Sequence, residues 1–243
     1  MEYFMLVKTE TVGVRSRTIA SSRLSTTFAD INVVNMTHPS NFKSILFDLG
    51  GVILDLNVSG TLEAFLNLGF PKELLNYPNN MHTDIFFKYE TGKITTAQFR
   101  NEIRELSGID FSDDAFDSAW CMMLGKVPRN RTELLRSLSK NYQLYMLSNT
   151  SELHINTFEG MFFDAAGYSL EEVFTKLFYS HEIGHHKPDP KAFEHVINEA
   201  GIQPEETLFL DDNIHNIKAA QELGFHAIHI TRNLRMEDVG YDR

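Results

Sequence analysis

The distribution of apolar residues predicts buried strands at three places in the chain. Residues 45–47 form an apolar run of strand length without polar alternation, which suits a strand covered on both faces. Two further runs, 142–147 and 207–210, also lead into polar residues where the strand would end. From about Thr132 onward helices and strands alternate, which favours an α/β fold with a doubly wound parallel sheet.

Between the first and second strands the pattern changes to four consecutive helices with no strand between them. Apolar residues recur there at helical spacing, and glycines follow the ends of three of the helices. Thr95 and Gln98 have the form of a capping box, which marks the start of the third helix. We therefore expect an inserted helical bundle over residues 57–125, carried by a core made of residues 37–56 and 126–243.

Residues 1–36 differ from the rest of the chain. They are rich in Ser, Thr and Val, and no acidic residue lies between Glu10 and Asp30. This profile resembles an organellar transit peptide, but no amphipathic helical period is evident. We favour a disordered extension, or a chain whose natural start is Met36.

Charge and cysteine content narrow the class of protein. The 243 residues carry a net charge of −11 with no basic run to offset it, which argues against nucleic-acid and membrane partners. Cys121 is the only cysteine, so an intrachain disulfide is impossible and a reducing compartment, the cytoplasm, is expected. No segment reaches transmembrane length, and we expect a monomer or a homodimer.

Polar residues follow each predicted strand, at the edge where open α/β sheets bind their ligands. Lys187 stands in a proline-stiffened segment just ahead of a further helix, which Asp189 can cap and Pro190 can open. Two adjacent acids after the last strand cannot both face a dry core without a cation. The candidate residues, in chain order, are Asp48, Ser148 with Asn149, Lys187, and Asp211 with Asp212.

In this order the four elements resemble the four motifs of the haloacid dehalogenase-like hydrolase superfamily. The resemblance covers roughly residues 43–230 and implies a Rossmann-like core. A helical insert directly after the first strand is similar to the small C1 cap of subfamily I. The resemblance implies Asp48 as nucleophile, Ser148, Asn149 and Lys187 as phosphate-binding groups, and Asp211 with Asp212 as the acidic metal pair.

The implied reaction is magnesium-dependent hydrolysis of a small-molecule phosphate ester. A carboxylate and a phosphate dianion repel each other, so a cation must hold them together. Magnesium fits as a hard ion with oxygen ligands. Asp48, the main-chain carbonyl of Gly50 and Asp212 would bind it, with Asp211 direct or through water. In-line attack would give an aspartyl phosphate, which water then hydrolyses.

The chain departs from the superfamily at Gly50, where most of its phosphatases have a second aspartate that acts as general acid and base. Such help is worth about 10²–10⁴-fold, so a leaving group that needs little protonation is favoured. Together with the Glu90-x-Gly92-x-Ile94 motif and the stretch reaching His154, this resembles the branch that includes a bacterial α-glucose-1-phosphate phosphatase. That branch also lacks the second aspartate. The resemblance implies a sugar phosphate, such as glucose 1-phosphate, as substrate.

Several other interpretations stay open. Loss of the second aspartate also permits a catalytically weak or non-catalytic phosphate-binding protein with a regulatory role. A dehalogenase is less favoured, since it would need no metal and no acidic pair. Asp55 could replace the missing acid, but we favour a hydrogen-bonding role at the junction between the core and the helical insert, because acids near turns usually bond to the backbone. Three histidines, His181, His185 and His186, could suggest zinc, but no cysteine or clustered acid completes a ligand set.

Aromatic residues of the helical insert have two readings. Phe86, Phe87, Tyr89 and Trp120 could line a substrate pocket. Aromatic residues at helical spacing more often form the core of a bundle, and we favour that reading.

Overall fold

The computed structural model describes residues 42–75 and 83–241, so the predicted extension over residues 1–36 lies outside the described part. Its centre is a five-stranded sheet in the order β3-β2-β1-β4-β5, and every neighbouring pair is parallel. This confirms the predicted α/β fold with a parallel sheet. The strands are β1 (Ser44–Phe47), β2 (Gln143–Ser148), β3 (Lys176–Tyr179), β4 (Thr207–Asp211) and β5 (His226–His229).

Helices separate the strands along the chain, as a doubly wound sheet requires. Within the described residues, six helices stand between β1 and β2. Five of these six lie within residues 57–125, where the apolar pattern predicts four; the additional one, α2 (Lys72–Leu75), is a single short turn. The helices are α1 (Val58–Asn67), α2 (Lys72–Leu75), α3 (Thr83–Glu90), α4 (Thr96–Ser107), α5 (Asp113–Cys121), α6 (Arg129–Leu138), α7 (Glu152–Ala166), α8 (Ser180–Ile183), α9 (Pro190–Ala200) and α10 (Ile214–Glu222).

The central strand β1 has no polar alternation because each of its faces is covered. Ile45 and Phe47 pack into the apolar cluster on one side of the sheet, whereas Leu46 packs into the cluster on the other side. All three side chains are buried. Burial of each such side chain contributes roughly 1.5–3 kcal/mol, which makes β1 a rigid support for the residue that follows it.

The helices between β1 and β2 have an apolar cluster of their own. Phe99 lies at its centre, stacked on Tyr89 at 4.1 Å and edge-on to Trp120 at 5.0 Å. The predicted capping box is present at α4: the Thr95 hydroxyl accepts from the Gln98 amide, and the Gln98 side chain accepts from the Thr95 amide. We refer to the described residues within 57–125 as the helical segment.

The chain enters and leaves the helical segment through two adjacent strands of backbone. Asp55 donates its amide to Lys126 and accepts from the Gly125 amide, both at 2.8 Å. A Cβ at Gly125 would lie 2.5 Å from the Asp55 carbonyl, so only glycine permits this approach. The Asp55 carboxylate pairs with Arg131 at 2.9 Å. Asp55 therefore makes its contacts at the junction between the core and the helical segment, which is the role that the sequence analysis favours.

Within residues 42–75 and 83–241, every helix falls short of the length and apolarity that a membrane span requires.

Candidate active site

Three strands bring the predicted residues to one edge of the sheet. Asp48 directly follows β1, Asp211 is the last residue of β4, and Ser148 is the last residue of β2. Since β1 lies between β2 and β4, these three residues end neighbouring strands on the same side. The Asp48 amide donates to the Leu210 carbonyl at 2.8 Å, which fixes Asp48 against β4.

Lys187 lies between two carboxylates at this edge. Its ammonium is 2.7 Å from Asp48 Oδ1 and 2.7 Å from Asp211 Oδ2, and its side chain is only 1% exposed. Burial alone would lower the pKa of Lys187, but Asp211 and Asp48 raise it above its usual value, so the lysine stays charged. The loop before α9 therefore places a fixed positive charge, the Lys187 ammonium, at the end of β1.

One ammonium cannot balance two buried carboxylates. Desolvation raises the pKa of Asp48 to about 6, even though Lys187 opposes the shift, and the Asp211 charge adds to the rise. A further cation at Asp48 would relieve this excess of negative charge. The site is thus electrostatically suited to a bound metal ion.

The two adjacent acids after β4 occupy different environments. Asp211 is fully buried, and both of its oxygens accept hydrogen bonds from within the protein. Oδ1 accepts from the Asn213 amide at 2.8 Å, and Asn216 donates to both oxygens at 3.1 and 3.0 Å. Asp212 is half-buried and lines the cavity beside Asp48. Of the two roles left open by the sequence, Asp211 fits the indirect one and Asp212 the direct one.

Asp48, Asp211 and Asp212 each offer an oxygen, and these atoms lie within 4.8 Å of one another. An all-oxygen donor set suits a hard cation such as Mg²⁺ rather than zinc. In the described part of the chain this is the one group of three or more His, Cys, Asp or Glu residues that could hold a metal. The histidines around Gly184 do not form such a group, so the zinc interpretation gains no support.

Asn149 binds the protein itself through its side chain. Its Oδ1 accepts from the Lys187 amide at 2.8 Å, and its Nδ2 donates to the Lys187 carbonyl at 2.8 Å. Two bonds to one residue fix the backbone from which the lysine extends. The predicted phosphate contacts therefore remain with Ser148, which is buried and lines the cavity, and with main-chain amides near Asn149.

Two residues whose role the sequence did not indicate extend this arrangement into the helical segment. Asn149 Nδ2 lies 3.0 Å from His186 Nδ1, and His186 Nε2 lies 3.0 Å from Glu90 Oε2. If Nδ1 accepts from the amide, Nε2 carries the proton that bonds to Glu90. Although burial raises the pKa of Glu90, the hydrogen bond from His186 helps to hold it below its usual value.

Gly92 explains the spacing of the Glu90-x-Gly92 motif. Its φ is +66°, and a Cβ there would lie 2.1 Å from the His181 carbonyl oxygen. Only glycine lets the end of α3 come this close to α8. The sequence motif indicated that glycine is needed here, but the residue that Gly92 contacts, His181, belongs to α8, which is distant along the chain.

His154, in the first turn of α7, also lines the cavity. Its Nε2 lies 3.0 Å from the Trp120 carbonyl, which can only accept, so the proton is on Nε2. The imidazole stacks on the Trp120 ring at 5.0 Å, and burial lowers the pKa of His154. A neutral ring in this tautomer keeps a lone pair on Nδ1.

A cavity of about 220 Å³ connects the acidic edge of the sheet with the helical segment. Asp48, Gly50, Lys187 and Asp212 lie at its inner end. Asp55 does not line it, which removes the candidate for a replacement acid from the site.

Comparison with known proteins places these features in a family. The family description "haloacid dehalogenase-like hydrolase" matches residues 42–224. The D-ribitol-5-phosphate phosphatase of Bacteroides thetaiotaomicron is 33% identical over 183 residues, 75% of this chain and 89% of that protein. A sesquiterpene phosphatase of Aspergillus oryzae is 25% identical over 197 residues, 80% of this chain and 93% of that protein.

Solved structures agree with the sequence matches. A HAD family enzyme of Bacteroides thetaiotaomicron, in complex with magnesium and inorganic phosphate, superposes with a TM-score of 0.75 at 35% identity. The similarity covers 80% of this chain and 97% of that one.

Proposed function

The chain belongs to the haloacid dehalogenase-like hydrolase family, and on that premise we propose that it is a magnesium-dependent phosphomonoesterase acting through an aspartyl phosphate on Asp48. The observation that carries the proposal is the position of Lys187 between Asp48 and Asp211, with Asp212 close by. This arrangement offers a nucleophilic carboxylate, a fixed cation and an oxygen-lined cation site at one point.

Each residue has a defined part in the proposed reaction. Asp48, Asp212 and the Gly50 carbonyl would hold Mg²⁺, with Asp211 behind them. When bound, the ion offsets the repulsion between a carboxylate and a phosphate dianion. Lys187 orients Asp48 and neutralises a phosphoryl oxygen, while Ser148 and the amides near Asn149 bind the remaining oxygens.

The covalent steps follow from this placement. An oxygen of Asp48 forms a bond to phosphorus as the bond from phosphorus to the alcohol oxygen breaks. The departing oxygen takes its proton from water, because Gly50 supplies no acid. A water molecule then attacks the phosphorus, releases inorganic phosphate and restores the Asp48 carboxylate.

Substrate choice has two candidate classes. A sugar phosphate, such as glucose 1-phosphate, fits the missing acid because its anomeric oxygen departs with little protonation. The relative named D-ribitol-5-phosphate phosphatase supports a related polyol phosphate. The relative named sesquiterpene phosphatase supports an apolar alcohol instead.

We also propose that residues 57–125 act as a cap over a core made of residues 37–56 and 126–243. The separate apolar cluster of the helical segment and its narrow connection at Asp55 and Gly125 support this division. The contact between Glu90 and His186 would then report whether the cap is seated on the core.

Phosphatase assays with added Mg²⁺ and with a chelator test the proposal. p-Nitrophenyl phosphate is a suitable first substrate because its leaving group needs no acid. We expect turnover that requires Mg²⁺ and is lost in Asp48→Asn. Equal rates with magnesium and with chelator would contradict the metal site, and phosphate binding without turnover would favour the non-catalytic alternative.

A further inference from the structure

We propose that the alcohol half of the substrate is an apolar group of up to about nine carbons rather than a sugar, a conclusion that rests on the proposed function and names its substrate class. The proposal rests on the apolar wall of the 220 Å³ cavity above the acidic edge of the sheet. We call the part of this cavity that lies in the helical segment the apolar chamber. Its walls include Leu56, Phe65, Phe86, Ile103, Trp120 and Met123.

The chamber is continuous with the reacting groups. Asp48 and Lys187 line the same cavity as Phe65 and Ile103, so an ester whose phosphate reaches Asp48 would place its alcohol against these side chains. Phe65 and Ile103 belong to the apolar cluster of the helical segment. Both readings of the aromatic residues therefore apply: Phe86 and Trp120 pack in the bundle and also line the cavity, whereas Phe87 does not line it.

Three polar side chains of the helical segment line the chamber, those of Thr61, Glu90 and Ser107, and each has a partner within the protein. The Thr61 hydroxyl donates to the Asn57 carbonyl at 2.9 Å, and Ser107 Oγ accepts from the Ile109 amide at 3.3 Å. Glu90 is bonded to His186. A sugar in the chamber would leave hydroxyl groups facing aliphatic and aromatic walls, and each unsatisfied group costs about 1–3 kcal/mol.

The cavity volume sets the size of the alcohol. A cavity of about 150 Å³ lined by leucine, isoleucine and phenylalanine stays dry and binds benzene, which has six carbons. In proportion, the whole 220 Å³ would hold about nine carbons, and since the phosphate takes the share beside Asp48, this number is the upper limit for the alcohol. Alcohols of about six to eight carbons lie within this limit.

A series of straight-chain alkyl phosphates from ethyl to decyl tests the chamber separately from the chemistry. Their alcohols differ little in acidity beyond the shortest member, so rate differences report burial rather than the missing acid. Burial of one methylene is worth about 0.8 kcal/mol, so we expect kcat/KM to rise about fourfold per methylene up to about octyl and then level off. Hexyl phosphate should exceed glucose 6-phosphate, which also has six carbons and a primary leaving group.

Three results separate this proposal from the proposed function. Turnover of p-nitrophenyl phosphate with a flat alkyl series, or with glucose 6-phosphate ahead of hexyl phosphate, would overturn the apolar chamber alone. In the absence of any turnover, calorimetry with octylphosphonate and methylphosphonate in the presence of Mg²⁺ still decides the question. Tighter binding of octylphosphonate would support the chamber, and equal binding would overturn it.

Adjacent methionines provide a matched pair of variants. Met123 lines the chamber, whereas Met122 is 42% exposed and does not line it. Met123→Gln nearly preserves the size of the side chain but adds an amide. We therefore expect kcat/KM for octyl phosphate to fall about tenfold and kcat/KM for ethyl phosphate to fall less. Met122→Gln should change neither. Should Met123→Gln misfold, Leu106→Gln offers a second test, because Leu106 lines the chamber and is partly exposed. A chain-length dependence unchanged in the folded variant would contradict the proposal.

Discussion

Glu90 and His186 connect the helical segment to the loop that carries Lys187 through a 3.0 Å hydrogen bond between Oε2 and Nε2. His186 immediately precedes Lys187, and Asn149 contacts both residues. The bond therefore joins the end of α3 to the loop that positions the ammonium. A change in the position of the helical segment would therefore alter, through this loop, the position of the Lys187 ammonium beside Asp48.

Replacement of Glu90 tests this connection. Glu90→Ala leaves His186 without its carboxylate partner, so we expect kcat to fall about tenfold or more, by analogy with outer groups that orient catalytic ligands. Glu90→Gln retains an acceptor and should recover most of the rate. Glu152→Ala is a matched control, because Glu152 accepts from Thr96 at 2.5 Å and so also joins the core to the helical segment. Equal losses of kcat in Glu90→Ala and Glu152→Ala would show a general loosening instead.

Asp48 should destabilise the metal-free protein at neutral pH. Its pKa is about 6 in the folded protein, against an ordinary value of 3.8 in the unfolded chain. The folded state thus binds the proton more tightly, and stability from this group is lost as pH rises from about 4 to 6. With a chelator, Asp48→Asn should raise the melting temperature at pH 8 and not at pH 4, and excess Mg²⁺ should remove this advantage. A lower melting temperature at pH 8 would contradict the account.

Asp211 and Asp212 should respond differently to isosteric replacement. Asp212→Asn removes an expected metal ligand from a half-buried position, so magnesium affinity should fall at least tenfold with little change in the chelator-treated melting temperature. Asp211→Asn removes a buried partner of Lys187, so the protein should lose about 1.5–3 kcal/mol of stability. Calorimetric titration and thermal melting separate the two effects. Undiminished magnesium affinity in both variants would refute the site as described.

Restoring an acid at Gly50 tests the missing proton donor. Gly50→Asp should flatten the dependence of rate on leaving-group pKa, with a gain for alkyl phosphates toward the lower end of 10²–10⁴-fold. A Cβ at Gly50 would meet Leu56 Cδ2 at 3.2 Å, so Leu56 must shift slightly to admit it. Gly50→Asn has the same steric demand and no acid, and serves as the control. Equal rates for the two variants would show that proton donation is not what limits the wild type.

Local sequence patterns predicted most elements of the fold. Continuous apolar runs predicted β1, β2 and β4 because both faces of the central strands are covered, and Thr95 with Gln98 predicted the start of α4. The edge strands β3 and β5 were not predicted individually. β3 begins with an exposed lysine and β5 with an exposed histidine, so neither shows the uninterrupted apolar pattern.

The site residues that could be predicted are mostly those that stand at the ends of predicted strands. Asp48, Ser148, Lys187, Asp211 and Asp212 come together as the order of motifs indicated. The bond from Glu90 to His186, the Asn149 contacts and the walls of the apolar chamber depend on long-range packing, which no local spacing encodes. A substrate expected from the motifs alone was therefore a sugar phosphate, whereas the packed helices favour an apolar alcohol.

Direct detection of phosphorylated Asp48 tests whether Asp48 is the nucleophile. The protein is mixed with Mg²⁺ and a phosphate ester of low leaving-group pKa, quenched in acid within the first turnover, and digested for mass spectrometry. We expect one added phosphoryl group on the peptide that contains Asp48, and none in Asp48→Asn or without Mg²⁺. Full turnover of the ester with no phosphoryl group on that peptide at any quench time would contradict the nucleophilic role of Asp48.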